Sequence, residues 1–145
     1  MSTINMAKNI KQIHPDYVVI YKMGLFYNTY GKDSYIISAN CDYALKTKDN
    51  VISCGFPKQN INKVKTRLED KKVNYILLDP RNNYDVDEKS DNKNLNRYEE
   101  ELKKSYLIIK QKNKIKSIKE RLELYIGKKE FKDIIRKVEN ILDES

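Results

Sequence analysis

The residues able to do chemistry in this sequence are few and widely spaced. The two cysteines, Cys41 and Cys54, have no Cys or His partner at zinc-ligand spacing, and the single histidine is His14. Structural zinc sites take four such ligands, so the cysteines predict reduced, partly buried thiols and no metal site. His14 precedes Pro15 where a helix must end, and we interpret it as structural rather than as a catalytic base.

Two acidic clusters and one glycine-lysine segment complete the candidates. Asp85–Glu88 could hold a cation but is interpreted as a solvated polar loop, and Glu99–Glu101 suits the first turn of a helix. Gly127–Lys129 lacks the upstream glycine and the Ser/Thr of a phosphate-binding loop. The sequence therefore predicts a protein that is not an enzyme, with no cofactor and no small-molecule substrate.

Composition favours a polyanionic partner. The 145 residues include 29 Lys or Arg against 21 Asp or Glu, a net charge of +8, and such a balance attracts nucleic acid or another polyanion. No apolar run is long enough to cross a bilayer, and the first eleven residues carry no secretory signal. We expect a cytoplasmic protein with no membrane partner.

The first eighty residues predict a small α/β fold, a mixed sheet flanked by helices. The pattern alternates helical stripes with short β-branched or aromatic runs. The predicted elements are a helix over 4–13, a strand over 17–23, an aromatic turn over 25–30 that starts a helix, a helix over 34–40, a hairpin of 43–47 with 51–55, a helix opened by Pro57, and a strand over 73–78.

The remainder predicts a polar linker over 81–94, with a short edge strand near Tyr84–Val86, and a C-terminal helical hairpin over 95–145. The long helix begins at Leu95, and Gly127 ends it as a C′ residue would. Each helix carries one apolar stripe. Either the hairpin packs back on residues 1–80 or it pairs with another chain, and both alternatives stay open.

The segment Met23–Tyr30 has a less ordinary pattern. Gly24 follows a buried strand and permits a sharp turn, so the next side chains project from the edge of the sheet. Its aromatic residues, Phe26, Tyr27 and Tyr30, either fill the seam between sheet and helix or form a contact surface.

This segment resembles the N-terminal, mismatch-recognition domain of the MutS family. The family reads H-P-D, a short apolar strand and then M-G-D-F-Y-E-L-F, where this chain has His14-Pro-Asp16, a strand, and Met23-Gly-Leu-Phe-Tyr-Asn-Thr-Tyr30. Ile52–Pro57 is similar to the family's M-A-G-I-P-Y-H segment. The resemblance covers roughly residues 5–80.

The resemblance implies a role in binding DNA mispairs or distorted duplex. The family's phenylalanine wedges into the duplex beside a mispair, and its glutamate hydrogen-bonds the mispaired base. Phe26 matches the wedge and Gly24 the preceding turn, whereas Asn28 replaces the glutamate and Leu25 the aspartate. An asparagine can donate and accept hydrogen bonds, so it can still contact a base, but it lacks the carboxylate. Candidate phosphate contacts are Lys46, Lys48, Lys58, Lys63, Lys65 and Arg67.

Two functions remain open. The first is a stand-alone, non-catalytic nucleic-acid-binding module. The second is an accessory protein that docks through residues 95–145 on a larger nucleic-acid-processing enzyme. The resemblance suggests, as one example, the reverse transcriptase of a diversity-generating retroelement.

Overall fold

A computed structural model describes residues 3–90 and 96–145 of the chain. The described residues form five α-helices and six strands. The helices are α1 (Thr3–Ile13), α2 (Lys32–Cys41), α3 (Ile61–Asp70), α4 (Tyr98–Glu123) and α5 (Phe131–Asp143). The strands are β1 (Val18–Met23), β2 (Phe26–Tyr30), β3 (Leu45–Lys48), β4 (Val51–Pro57), β5 (Tyr75–Asp79) and β6 (Asp85–Lys89).

The six strands form one mixed sheet in the order β3-β4-β2-β1-β5-β6. Only β1 and β5 run parallel, and the other neighbouring pairs are antiparallel. The parallel pair is joined by a long crossover, as parallel strands require. The predicted fold class, a small mixed sheet flanked by helices with further helices at the C-terminal end, is confirmed.

The sheet has a hydrophobic core on each face. On one face, Val18, Ile20, Tyr27 and Phe56 pack with buried residues of α2, α3 and the first turns of α4. On the other face, Val19, Tyr21, Ile76 and Leu78 pack with Ala7 of α1. Because β1 is buried on both faces, it is a continuous apolar run, as its sequence predicts.

The prediction that residues 25–30 form a turn starting a helix is wrong. Phe26–Tyr30 is strand β2, an inner strand of the sheet between β4 and β1. Tyr27 and Thr29 point into the core while Phe26, Asn28 and Tyr30 lie on the other face, a period-two pattern. The helix begins only at Lys32, after Gly31.

The described part of the predicted linker contains β6, which pairs with β5. Leu95, the predicted helix start, and residues 91–94 lie outside the described residues. The chain divides into two compact units at a point within α4, later than the predicted linker. The first unit ends at Ile109 and the second is Lys110–Ser145. The domain limits at residues 80 and 95 therefore stay a prediction.

The second unit consists of the end of α4, a turn, and α5. Gly127 has φ of +80° in that turn, the left-handed conformation typical of a C′ residue. Because α4 ends at Glu123, four residues earlier, the prediction that Gly127 directly ends this helix is wrong. All of its residues are exposed or half-buried, and α5 contains no buried residue. Among the described residues, no helix is both long and apolar enough to cross a membrane.

Candidate nucleic-acid interface

A two-residue turn joins β1 to β2. Met23 pairs with Phe26, so the turn consists of Gly24 and Leu25. Gly24 has φ of +65°, and it is the first of the two central residues, which is the position where a type II′ hairpin turn requires glycine. An added Cβ at Gly24 would meet no atom within 4 Å. The glycine is therefore needed for the backbone conformation and not for space.

The tip of this hairpin is apolar and exposed. The exposed fractions are 38% for Met23, 79% for Leu25 and 55% for Phe26. The ring of Phe26 is therefore not buried beneath α2, whereas the neighbouring Tyr27 is 8% exposed and its ring stacks on Phe56 at a centroid distance of 5.7 Å. Of the aromatic residues in this segment, Tyr27 fills the core and Phe26 faces solvent.

The tip has a firm base. The backbone N–H of Lys58 donates a hydrogen bond of 3.0 Å to the carbonyl of Leu25. Phe26 pairs with Pro57 at the end of β4, and Phe56 also stacks on Tyr43 at 5.5 Å. These contacts fix the backbone on both sides of Phe26, so its exposed ring projects from a rigid inner strand.

Asn28 lies two residues further along β2, on the same sheet face as Phe26. Its Oδ1 accepts a hydrogen bond of 3.1 Å from the N–H of Thr29. The side chain lies over Gly55, where an added Cβ would come within 3.3 Å of Asn28 Oδ1. Asn28 also lines an open cavity of about 320 Å³ together with Tyr30, Lys48 and Ser53. The half-buried amide therefore faces a space that polar groups border.

Two of the candidate phosphate contacts share this face. Lys46 pairs with Ser53, which in turn pairs with Tyr30, so Lys46 lies on the same face as Asn28. Lys48 lies two residues away on β3, and both lysines are exposed. Lys58 is exposed directly after Pro57, beside the hairpin tip. Strand register thus brings Phe26, Asn28, Lys46 and Lys48 to one face.

The remaining candidates lie elsewhere. Lys63, Lys65 and Arg67 are on α3, which packs through Val64 and Leu68 on the opposite face of the sheet. Lys65 forms an ion pair with Glu88 of β6. Lys63 and Arg67 border a separate cavity of about 120 Å³ beside Cys41. The structure does not bring these three cations together with Phe26.

Cys54 is buried and Cys41 is half-buried. Burial raises the pKa of the Cys54 thiol to about 12 and that of Cys41 to about 11. A raised pKa lowers the fraction of the reactive thiolate. Within residues 3–90 and 96–145, no group of three or more His, Cys, Asp or Glu side chains is placed to hold a metal ion.

Sequence reasoning missed a buried polar cluster around Asp33, which is 2% exposed. Its Oδ1 accepts hydrogen bonds from Lys11 Nζ at 2.6 Å and from the Tyr98 hydroxyl, and its Oδ2 accepts one from the N–H of Val19 at 3.1 Å. Burial raises the pKa of this carboxyl, and the Lys11 ammonium opposes that shift. No local motif signals the cluster, because its members come from four separate elements.

A comparison with family models matches residues 3–81 to the family described as MutS domain I. The matched segment contains α1, the sheet strands β1 to β5, and both hairpins. It therefore includes Gly24, Phe26 and Asn28. A comparison with curated proteins gave no match.

Proposed function

The chain belongs to the MutS domain I family, and from this we propose that it is a non-catalytic DNA-binding module that recognises mispaired or distorted duplex through Phe26. The observation that carries the proposal is the exposure of Phe26, 55%, at the tip of a hairpin between two inner strands. Covering a large apolar ring that is exposed to water lowers the free energy, so an exposed ring favours contact with another surface.

The proposed mechanism is insertion of the Phe26 ring between base steps. Unstacking a step costs a few kcal/mol, and the cost is smallest where pairing is already weak. A mispair or bulge therefore lowers the energy needed to admit the ring. Leu25 and Met23 flank Phe26 and add apolar area to the wedge.

Asn28 is proposed to contact the edge of the base beside the wedge. Residues two apart on a strand lie on one face and about 7 Å apart. That spacing allows Phe26 to enter a base step while Asn28 contacts a neighbouring base. The amide group offers both a donor and an acceptor. Unlike a carboxylate, it accepts a base N–H without adding negative charge near the phosphates.

Lys46, Lys48 and Lys58 are the proposed phosphate contacts nearest the wedge. The first two share the sheet face of Asn28, and Lys58 follows the hairpin base. Lys63, Lys65 and Arg67 stay candidates for a more distant contact, since α3 packs on the opposite face. Single DNA-binding modules bury about 600–1,000 Å², so we expect weak binding that depends strongly on salt.

Fluorescence anisotropy with three labelled duplexes tests the proposal. One duplex is fully paired, one carries a single mispair and one a single-nucleotide bulge, all of the same flanking sequence. We expect tighter binding to the two distorted duplexes at each salt concentration. Equal affinity for all three would reduce the function to non-specific DNA binding, and no binding at low salt would contradict it entirely.

The alternative function, docking on a larger nucleic-acid-processing enzyme, rests on a different observation. The unit Lys110–Ser145 contains no buried residue, so its apolar stripes are available to another chain. A chain ending after Ile109 should keep DNA binding if the module acts alone. If the alternative holds, the truncated chain should lose binding to a purified enzyme partner. Neither the truncated nor the full-length chain should then prefer mispaired or bulged duplex over paired duplex.

A further inference from the structure

The unit Lys110–Ser145 leaves an unusual amount of apolar surface uncovered. The exposed fractions are 67% for Ile115, 69% for Leu124, 69% for Ile126, 65% for Ile141 and 66% for Leu142. Units of fewer than roughly 40 residues rarely fold alone without a disulfide, a metal or a partner subunit. This unit has no cysteine. Its sequence is nevertheless strongly patterned, which indicates that the exposed stripe has a partner.

The pattern is that of a helical bundle seam. In α5, the apolar residues recur at three- and four-residue spacing and repeat after seven: Phe131, Ile134, Ile135, Val138, Ile141 and Leu142. The end of α4 carries Ile115, Ile118 and Leu122 at three- and four-residue spacing, and Tyr125 follows in the turn. The α5 stripe thus occupies three of every seven positions, which are a, d and e of a heptad repeat. A stripe of this width is more than one facing helix covers and is typical of bundles of more than two helices.

The two helices cover each other only in part. Ile118, Leu122, Tyr125 and Ile134 border an open, mainly apolar cavity of about 420 Å³ near the turn. Further along α5, Ile141 and Leu142 are two-thirds exposed. A second pair of helices with the same stripe would fill the cavity and cover these side chains.

The charges of the unit favour a second copy of this chain as that partner. Residues 110–121 carry six Lys or Arg and one Glu, whereas residues 138–145 carry Glu139, Asp143, Glu144 and no basic residue. In a two-fold contact each copy presents the same patch, so the patch must complement itself. The basic residues that flank the apolar positions of α4, together with the acidic end of α5, meet that requirement.

The position of the acidic residues supports the same conclusion. Carboxylates at a helix C-terminus face the negative end of the helix dipole, which is unfavourable unless a neighbouring cation compensates. The last turn of α5 has no basic residue of its own. Lysines of a neighbouring α4 would provide the compensation.

We propose that Lys110–Ser145 is a self-association surface through which two copies pack their α4 and α5 segments, antiparallel, into a four-helix bundle. The dimer joins two Phe26-bearing modules, and linked modules bind a polyanion more tightly than either alone. The self-association itself does not depend on DNA binding.

Sedimentation equilibrium of the full chain, without nucleic acid, tests the proposal across roughly a hundredfold range of concentration. We expect a mass twice that of the monomer. Ile141→Lys and Leu142→Lys should each raise the dimer dissociation constant at least about tenfold, whereas Ile13→Lys, at a comparably exposed residue of α1, should leave it unchanged. Circular dichroism checks that the helices remain.

A charge variant keeps the test independent of the apolar stripe. Glu139→Lys with Asp143→Lys should weaken the dimer about fivefold or more, and high salt should reduce the difference. A chain that stays monomeric at every concentration overturns the proposal. So does a monomer that binds only vesicles of anionic lipid, or one that forms a one-to-one complex with a purified enzyme through this surface.

Discussion

The hydroxyl of Tyr98 donates a hydrogen bond to Oδ1 of Asp33, joining the first turn of α4 to the first turn of α2. Lys11 Nζ, on α1, lies 2.6 Å from the same oxygen and 4.4 Å from the centre of the Tyr98 ring. Tyr98 is 1% exposed and packs in the core with Leu102. The start of α4 is therefore part of the α/β unit rather than a separate appendage.

The Asp33 cluster yields a prediction on stability. Asp33→Asn should lower the free energy of unfolding by about 3–5 kcal/mol, because it leaves the Lys11 ammonium, whose side chain is only 20% exposed, without its counter-charge. Adding Lys11→Met should recover part of the loss. Urea unfolding measures both variants, and Asp49→Asn, at an exposed turn residue, is the matched control with a change under about 0.5 kcal/mol. A loss for Asp33→Asn no larger than the control's would contradict the role of the ion pair.

Two truncated chains test where the folded α/β module ends. A chain ending after Ile109 keeps β6, Tyr98 and Leu102, and should unfold cooperatively and bind DNA with the affinity of a single module. A chain ending after Pro80 loses these elements and uncovers the core beneath Tyr98, so its urea midpoint should fall sharply or its unfolding lose cooperativity. Equal midpoints for the two chains would show that α4 does not stabilise the sheet.

The division of the cations between two faces predicts different salt dependence. Lys46→Ala with Lys48→Ala should weaken duplex binding at all sequences and reduce the slope of log affinity against log salt by about 1.8, the value for two lost phosphate contacts. Lys63→Ala with Arg67→Ala removes the same charge from α3 and is the matched control. We expect a smaller change in its slope. Identical slopes would mean that net charge alone sets the affinity.

The thiols predict a pH-dependent reactivity. Burial disfavours the thiolate, and a pKa of about 11 for Cys41 or about 12 for Cys54 leaves little thiolate at pH 8. Alkylation in the native state should therefore be at least about a hundredfold slower than in urea, where an ordinary cysteine pKa applies. The native rate should rise as pH increases towards 10. Mass spectrometry of each peptide measures the rates, and a rapid native reaction of Cys54 would contradict its burial.

Features that depend on residues close together in the sequence could be predicted, whereas features that depend on distant residues could not. The apolar run of β1 is a local pattern, and the strand forms over Val18–Met23 where 17–23 was predicted. The apolar stripe of the last helix is also local, and α5 lies within the predicted hairpin of 95–145. Strand β2 was missed although its signal was present: Gly24-Leu25 is a two-residue hairpin turn, followed by alternating buried Tyr27 and Thr29. Aromatic residues after a glycine suggested a helix start instead.

Other features depend on contacts between distant residues. Whether a lysine shares a face with Phe26 depends on strand register, and β3 reaches that face only by pairing with β4. The Asp33–Tyr98 hydrogen bond joins residues 65 positions apart. Neither relationship has a local sequence pattern, so composition could suggest DNA binding but could not separate the cations on β3 from those on α3.

The most direct test of the proposed wedge is the affinity of Phe26→Ala for a mispaired duplex relative to a fully paired one. Aromatic contacts with bases contribute about 1–3 kcal/mol each. We predict that Phe26→Ala binds the mispaired duplex about tenfold more weakly and loses its preference over the paired duplex, while Val86→Ala, a similarly exposed apolar residue of β6, behaves as the unmodified chain. A Phe26→Ala chain that keeps full affinity and preference would contradict the wedge.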